Sequence, residues 1–256
     1  MFALTNEEFI DFIESFRGGH YKESKHGEYI VHNFYDSITE LSRSETVKAD
    51  ALIENPFEMY ALDWICKNCS DMKDNTPSTT DAIFYKKETD EKLVLHLIEF
   101  KFLSSTTYGD KLVFIDEEIM EKNRKVHFSK QFFNYFKDIK EDFKDNIEFS
   151  LRLKPFETIF IVLPKLYDAY CKENAKEKKD IQSYLNTIDI KYWVFLGNKS
   201  SNETNVELMA ETLKKPYLRL EMGIVKKAQV KPKSYFDTFL DVEIYGKKDF
   251  LDEDLI

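Results

Sequence analysis

Three residues could do chemistry together: Asp81, Glu99 and Lys101. Carboxylate oxygens are the ligands that hard divalent cations such as Mg²⁺ prefer. A cation held by two acids can lower the pKa of a water and stabilise charge on a phosphoryl oxygen. A lysine beside it can orient that water or help take its proton. The same three side chains could instead form a salt bridge that closes a half-exposed hairpin, because an acid and a lysine two positions apart occur often by chance.

The hairpin that would join them can be placed by arithmetic. Opposed residues of an antiparallel pair have a constant sum of residue numbers. Asp81 opposite Glu99 requires a turn centred at residue 90, and Asp81 opposite Lys101 a turn centred at 91. Composition independently puts a turn at Glu88-Thr89-Asp90-Glu91, between the strand Ala82–Tyr85 and the apolar strand 93–103. Period two then sets Glu99 and Lys101 on one face and Ile98, Phe100 and Phe102 on the other. Charges in so apolar a strand are costly unless paired or bound to metal.

The surrounding elements are read from capping and periodicity. Thr5 and Glu8 form a capping box ahead of the stripe Phe9, Phe12, Ile13 and Phe16. A second helix is expected around 28–42. A third should open at Asn55-Pro56, with Phe57, Tyr60, Ala61, Trp64 and Ile65 on its apolar face. Helix is expected over 116–140, 166–186 and 205–214, and strands over 158–163 and 192–196. This is an α/β order with a small mixed sheet and helices packed on it.

The residues that carry these expectations resemble the PD-(D/E)XK nuclease superfamily. The likeness lies in Asp81, the hairpin, and Ile98-Glu99-Phe100-Lys101, with Thr80 where proline is usual. Glu58 matches an acid that many members carry early in the preceding helix. Gln131 and Tyr135, four apart in Gln131-Phe132-Phe133-Asn134-Tyr135, look like the Gln-x-x-x-Tyr motif of the RecB-like branch. The strand at 158–163 falls where the family's core places one.

The resemblance implies a restriction-endonuclease-like core over about 54–196 of a single domain spanning 1–256. A helical N-terminal extension (1–53) and a C-terminal extension (197–256) would flank it. It implies a Mg²⁺-dependent (or Mn²⁺-dependent) nuclease acting on DNA. Asp81, Glu99, the Phe100 carbonyl and Glu58 would hold the metal. Lys101 would position the water, and Gln131 and Tyr135 would support the site. The alternative is a member of the same fold that binds nucleic acid or protein without cutting.

Composition bounds these readings. With 22 Phe and 14 Tyr among 256 residues, and only 7 Gly and 6 Pro, the chain can bury a sizeable core. A net charge of −10 argues against coating nucleic acid by bulk charge. The stretch 212–234 is the exception, with Lys214, Lys215, Arg219, Lys226, Lys227, Lys231 and Lys233 against Glu221 alone. Together with Lys130 it could contact phosphates, or be a solvated face. Homodimerisation is left open. Cys66, Cys69 and Cys171 make no disulfide framework, and Cys66-Lys67-Asn68-Cys69 lacks the second pair a zinc site needs. The N-terminal residues do not read as a signal peptide, and no run of 18 apolar residues could span a membrane. A reducing cytoplasm is the expected compartment.

Overall fold

The computed structural model describes residues 4–25, 28–43, 51–69, 72, 77–102, 151, 153–197 and 225–247. The helices expected over 116–140 and 205–214 lie outside them.

The architecture is mixed α/β. A six-stranded sheet has the order β3 (Tyr35–Ser37), β4 (Glu58–Ala61), β5 (Ala82–Lys87), β6 (Leu93–Phe102), β7 (Asp189–Gly197) and β8 (Val225–Pro232). The pairs from β3 to β6 are antiparallel, whereas β6–β7 and β7–β8 are parallel. A separate antiparallel ribbon pairs β1 (His20–Lys25) with β2 (Glu28–Asn33).

Helices cover both faces. On one lie α1 (Asn6–Glu14), a π-helical turn (Thr158–Val162), α4 (Leu163–Glu173) and α5 (Ile181–Leu185). Their Phe9, Phe12, Leu163, Leu166 and Tyr167 pack with Leu95, Leu97, Ile190 and Val194 of the sheet. On the other lie α2 (Ile38–Leu41), α6 (Phe236–Phe239) and a second π-helical turn (Leu240–Ile244). There Ile38, Phe236 and Phe239 pack with Ile98, Phe100, Trp193 and Phe195. Strands buried on both faces read as continuous apolar runs rather than alternating ones, which is the character of β6 and β7.

Some expectations match the structure. Thr5 caps α1 reciprocally: Glu8 N–H donates to Thr5 Oγ1 at 3.3 Å, and Thr5 N–H to the Glu8 carboxylate at 2.9 Å. The hairpin strands and the strand over 192–196 are in place.

Others are corrected. Residues 28–42 form β2, β3 and the short α2, so the N-terminal stretch is not simply helical and contributes an edge strand to the main sheet. The helix expected from Pro56 is β4 up to Ala61, and α3 (Leu62–Asn68) begins only afterwards. Met59 is buried in one core and Tyr60 in the other, the period-two signature of a strand between two layers. The C-terminal stretch is no mere appendage either, since β8 completes the sheet.

The strand expected at 158–163 is helical, with residues 153–157 leading into the π turn and α4. Buried Ile159, Val162, Leu163, Leu166, Tyr167 and Tyr170 recur at helical spacing, while Phe160 and Ile161 are exposed. Pro164, in the first turn of α4, has no N–H to give. The chain meets it in a π register, with Leu163 N–H bonded to the Thr158 carbonyl. The helix expected over 166–186 is broken into α4 and α5, with Ala175 at φ +50° between them.

Candidate metal centre

The hairpin brings the acids together. Its register runs from Ala82↔Ile98 to Lys87↔Leu93, and the turn closes with Glu88 N–H donating to the Lys92 carbonyl at 2.9 Å. Extended by one residue, that register sets Asp81 across from Glu99. Asp81 Oδ2 accepts the Phe100 N–H at 2.6 Å, which fixes the carboxylate against the strand. The Asp81 carbonyl accepts Leu62 N–H at 3.1 Å, so the same residue also anchors the start of α3.

Alternation along β6 sends Phe100 to the core with Phe195 and Phe236, while Glu99 and Lys101 point to the opposite face. Glu99 is 1% exposed and Lys101 is partly exposed.

A second lysine, which the sequence did not single out, meets the acids from that face. Lys154 Nζ lies 2.6 Å from Glu99 Oε1 and 3.6 Å from Asp81 Oδ1. Its helical turn is tied to the strand leading into Asp81. Thr158 Oγ1 accepts Thr80 N–H at 3.1 Å, and the Glu157 carboxylate accepts Ser78 N–H. Lys154 and Thr158 are four apart and share a helix face, so fixing Thr158 aims Lys154 at the acids. A third acid, Asp63 of α3, accepts a hydrogen bond from Thr79 Oγ1 and adds its charge near Glu99.

Burial dominates the electrostatics. It pushes the Asp81 carboxyl above its ordinary range, against the opposing pull of Lys154, the Phe100 N–H and Lys101. It pushes Glu99 well above its ordinary range, and the negative charge of Asp81 pushes the same way. Burial alone would lower the Lys154 pKa, but the charges of Glu99 and Asp81 outweigh it and raise the value. Among the described residues two acids thus share one close cation, and each is held at a cost.

The residues present fit a hard divalent cation. Glu99 Oε2 is buried and meets no hydrogen-bond donor among the described residues, so one carboxylate oxygen is left without a counterpart. Mg²⁺ commonly takes only one or two protein carboxylates and keeps several waters. Among the described residues no three His, Cys, Asp or Glu side chains converge on one point. A cation here would therefore rest on Asp81 and Glu99, with the Phe100 carbonyl and water completing its shell.

The other expected site residues are distributed differently. Glu58 is an exposed strand residue rather than a helical one. Tyr60 pairs with Ile83 and Ala61 with Ala82, so Glu58 sits about four residues, roughly 13 Å, along the sheet from Asp81. It lines a separate cleft with Glu14, Arg17, Tyr35 and Tyr60, and it is not a ligand of this site. Lys226 is exposed in the bulge of β8. Lys227 is ion-paired to Glu243 at 2.9 Å and lies over the Trp193 ring, so its charge is largely spent within the fold. Gln131, Tyr135, Lys130, Lys214 and Lys215 lie outside the described residues.

His96 and the cysteines take no part. His96 is fully buried, and its pKa is pulled down to about 3 by burial and by Lys191. Its Nδ1 accepts the Trp193 Nε1–H at 3.2 Å. Cys66, Cys69 and Cys171 are free thiols.

No known protein family, no curated protein and no solved structure matches this chain. Among the described residues no helix is long and apolar enough to cross a membrane.

Proposed function

We propose that this chain is a divalent-metal-dependent nuclease of the PD-(D/E)XK type, hydrolysing phosphodiester bonds in DNA. The observation that carries the reading is the meeting of two carboxylates, the buried Glu99 and the half-buried Asp81, with Glu99 Oε2 left without a donor among the described residues. Buried acids short of one positive charge are expensive to maintain, and that expense is rational where a cation is to be bound. The antiparallel hairpin followed by a parallel strand, β7 beside β6, is compatible with a restriction-endonuclease-like core.

Asp81 and Glu99 would hold the cation, with the Phe100 carbonyl as a third oxygen. When bound, Mg²⁺ or Mn²⁺ supplies Lewis acidity toward the phosphoryl oxygen and toward a water. Asp81 is oriented for this by the Phe100 N–H, which leaves Asp81 Oδ1 available to the site. Lys101, on the same face as Glu99, donates from Nζ to the attacking water and steadies it in line with the phosphorus. The surrounding core of β6 shields Glu99 from bulk water, which strengthens the charge interactions it makes.

A second reading has one observation in its favour. The Lys154 ion pairs could simply lock the hairpin to the helix, and the chain would then bind nucleic acid or protein without cutting.

A cleavage panel decides between the two. It covers linear, circular, single-stranded and branched DNA, and RNA, each with Mg²⁺, Mn²⁺ or EDTA. The nuclease reading expects metal-dependent cutting of at least one DNA, with Lys101→Ala slower by about 10²–10⁴-fold. Cutting by Lys101→Ala at the parent rate refutes the role of Lys101. No cutting of any substrate by the parent leaves the binding reading standing.

A further inference from the structure

Lys154 holds a position that the proposed chemistry does not use. Its ammonium lies between the two carboxylates, close to Glu99 and within ion-pair distance of Asp81. It approaches from a helix fixed by Thr158 and Glu157 to the strand before Asp81, so the placement is built rather than incidental. Yet it satisfies the acids incompletely. One positive charge faces two negative ones, and Glu99 Oε2 remains without a donor among the described residues. A divalent ion would match the pair better in charge and could use the oxygen that Lys154 leaves unpaired.

We infer that Lys154 is a tethered cation that occupies the seat between Asp81 and Glu99 in the metal-free protein, and that a divalent ion binds by displacing it. The lysine stem is four carbons long and flexible, so the ammonium can withdraw without moving the helix. Its side chain is 17% exposed, so it has a way out to solvent. Two consequences follow. The hairpin stays closed without metal, because the acids are never left facing each other alone. Metal affinity is lower than the acid pair by itself would give, because an intramolecular competitor must first be removed. This inference rests on the reading of the site as a metal centre.

The test uses the full chain and two readouts besides activity. Lysine acylation is followed residue by residue by mass spectrometry, with and without Mg²⁺, while Mn²⁺ binding is measured by electron paramagnetic resonance. Lys191, paired to Glu243 at 2.6 Å and 21% exposed, is a matched internal control. Mg²⁺ should speed acylation of Lys154 several-fold and leave Lys191 unchanged. Lys154→Met should bind Mn²⁺ at least about tenfold more tightly, because a like charge has been removed from the seat.

Mn²⁺ binding to the parent with Lys154 still protected, or weaker binding by Lys154→Met, overturns the tethered cation and leaves the metal centre standing. No Mn²⁺ binding by either protein overturns both. If Lys154→Met does not fold, the acylation of the parent decides alone.

Discussion

Neutralising Glu99 and removing Lys154 should have opposite effects on the metal-free protein, although both delete one partner of the same 2.6 Å ion pair. Lys154 attracts Glu99 at 2.6 Å and Asp81 at 3.6 Å. With both acids ionised and an effective dielectric near 20, these attractions are about 6 and about 5 kcal/mol before desolvation is counted. Withdrawing the ammonium from water offsets several kcal/mol of that, which leaves a net loss of about 3–5 kcal/mol for Lys154→Met. In a chain of this length that lowers the melting temperature by about 10 °C.

Glu99→Gln differs in sign. The variant keeps the shape, leaves Lys154 paired to Asp81, and cancels the surplus negative charge. Burial and Asp81 together hold the Glu99 carboxyl above its ordinary range despite Lys154, so the fold favours its neutral form. Stability contributed by such a raised acid is full below the unfolded value near 4.5 and is lost as pH rises through the folded value. Glu99→Gln should therefore equal or exceed the parent by up to about 2 kcal/mol at pH 8. The gain should disappear below pH 4.5, where Glu99 is protonated in both states. Urea unfolding of the parent and both variants in EDTA across pH 4–8 measures this directly. If Glu99→Gln loses several kcal/mol at pH 8 while Lys154→Met loses little, the acids are not the strained partners. The cluster is then a structural salt bridge, and the case for a cation seat fails.

Four further outcomes are expected. Thr158→Val should cost about 1–3 kcal/mol in urea unfolding, because the buried Thr80 N–H loses its acceptor. His96→Gln should flatten the acid limb of the stability curve. The parent's stability falls at up to about 1.4 kcal/mol per pH unit as pH drops from 6.5 toward 3, because only the unfolded chain protonates this histidine there. Glu243→Gln should destabilise by about 1–3 kcal/mol, allowing for the partial exposure of Lys227, since it leaves Lys191 and Lys227 facing each other across β7 and β8. Asp81→Asn should reduce metal-dependent cleavage to background while the circular dichroism spectrum stays that of the parent, because asparagine can still accept the Phe100 N–H but brings no charge to a cation.

The hairpin was legible because everything that places it is local. A turn between two apolar strands fixes a register, and the register fixes which side chains meet. The elements that were misread fail for a different reason. Phe57 to Ala61, interrupted by Glu58, and Ile159 to Leu163 are short and mostly apolar, and such runs suit a buried strand and a buried helix alike. What separated them lay further along the chain. The period of 159, 162 and 163 continues through 166, 167 and 170 beyond Pro164, and only across that longer window does the helix outweigh the β-branched Thr-Ile-Phe-Ile-Val run. Conversely, Pro56 looked like a helix start, but Met59 and Tyr60 each had a core to fill on opposite sides. The expectation that Glu58 lies beside Asp81 and Glu99 falls with that helix. An acid on the first turn of a helix and an acid four residues down an edge-proximal strand are in different places.

Lys154 could not be found by pattern, yet its existence was implied. No periodicity links residues 55 positions apart, and a single lysine in the largely apolar stretch from Leu151 to Leu163 carries no mark. The mark was on the other side of the contact. Glu99 interrupts β6 where every neighbour is buried, and burial of an unopposed carboxylate is forbiddingly expensive. Its close counter-charge in the structure is Lys154, at 2.6 Å, and not Lys101 two positions along the same strand. The sequence offers Lys101 or a metal for that role, and the helical layer supplies it instead. The structure supplies the side chain and, among the described residues, leaves an oxygen over, Glu99 Oε2. That remainder is the asymmetry on which the functional proposal turns. A site evolved only to be a salt bridge gains nothing from a second, half-buried acid, whereas a site that alternates between an ammonium and a divalent ion needs both.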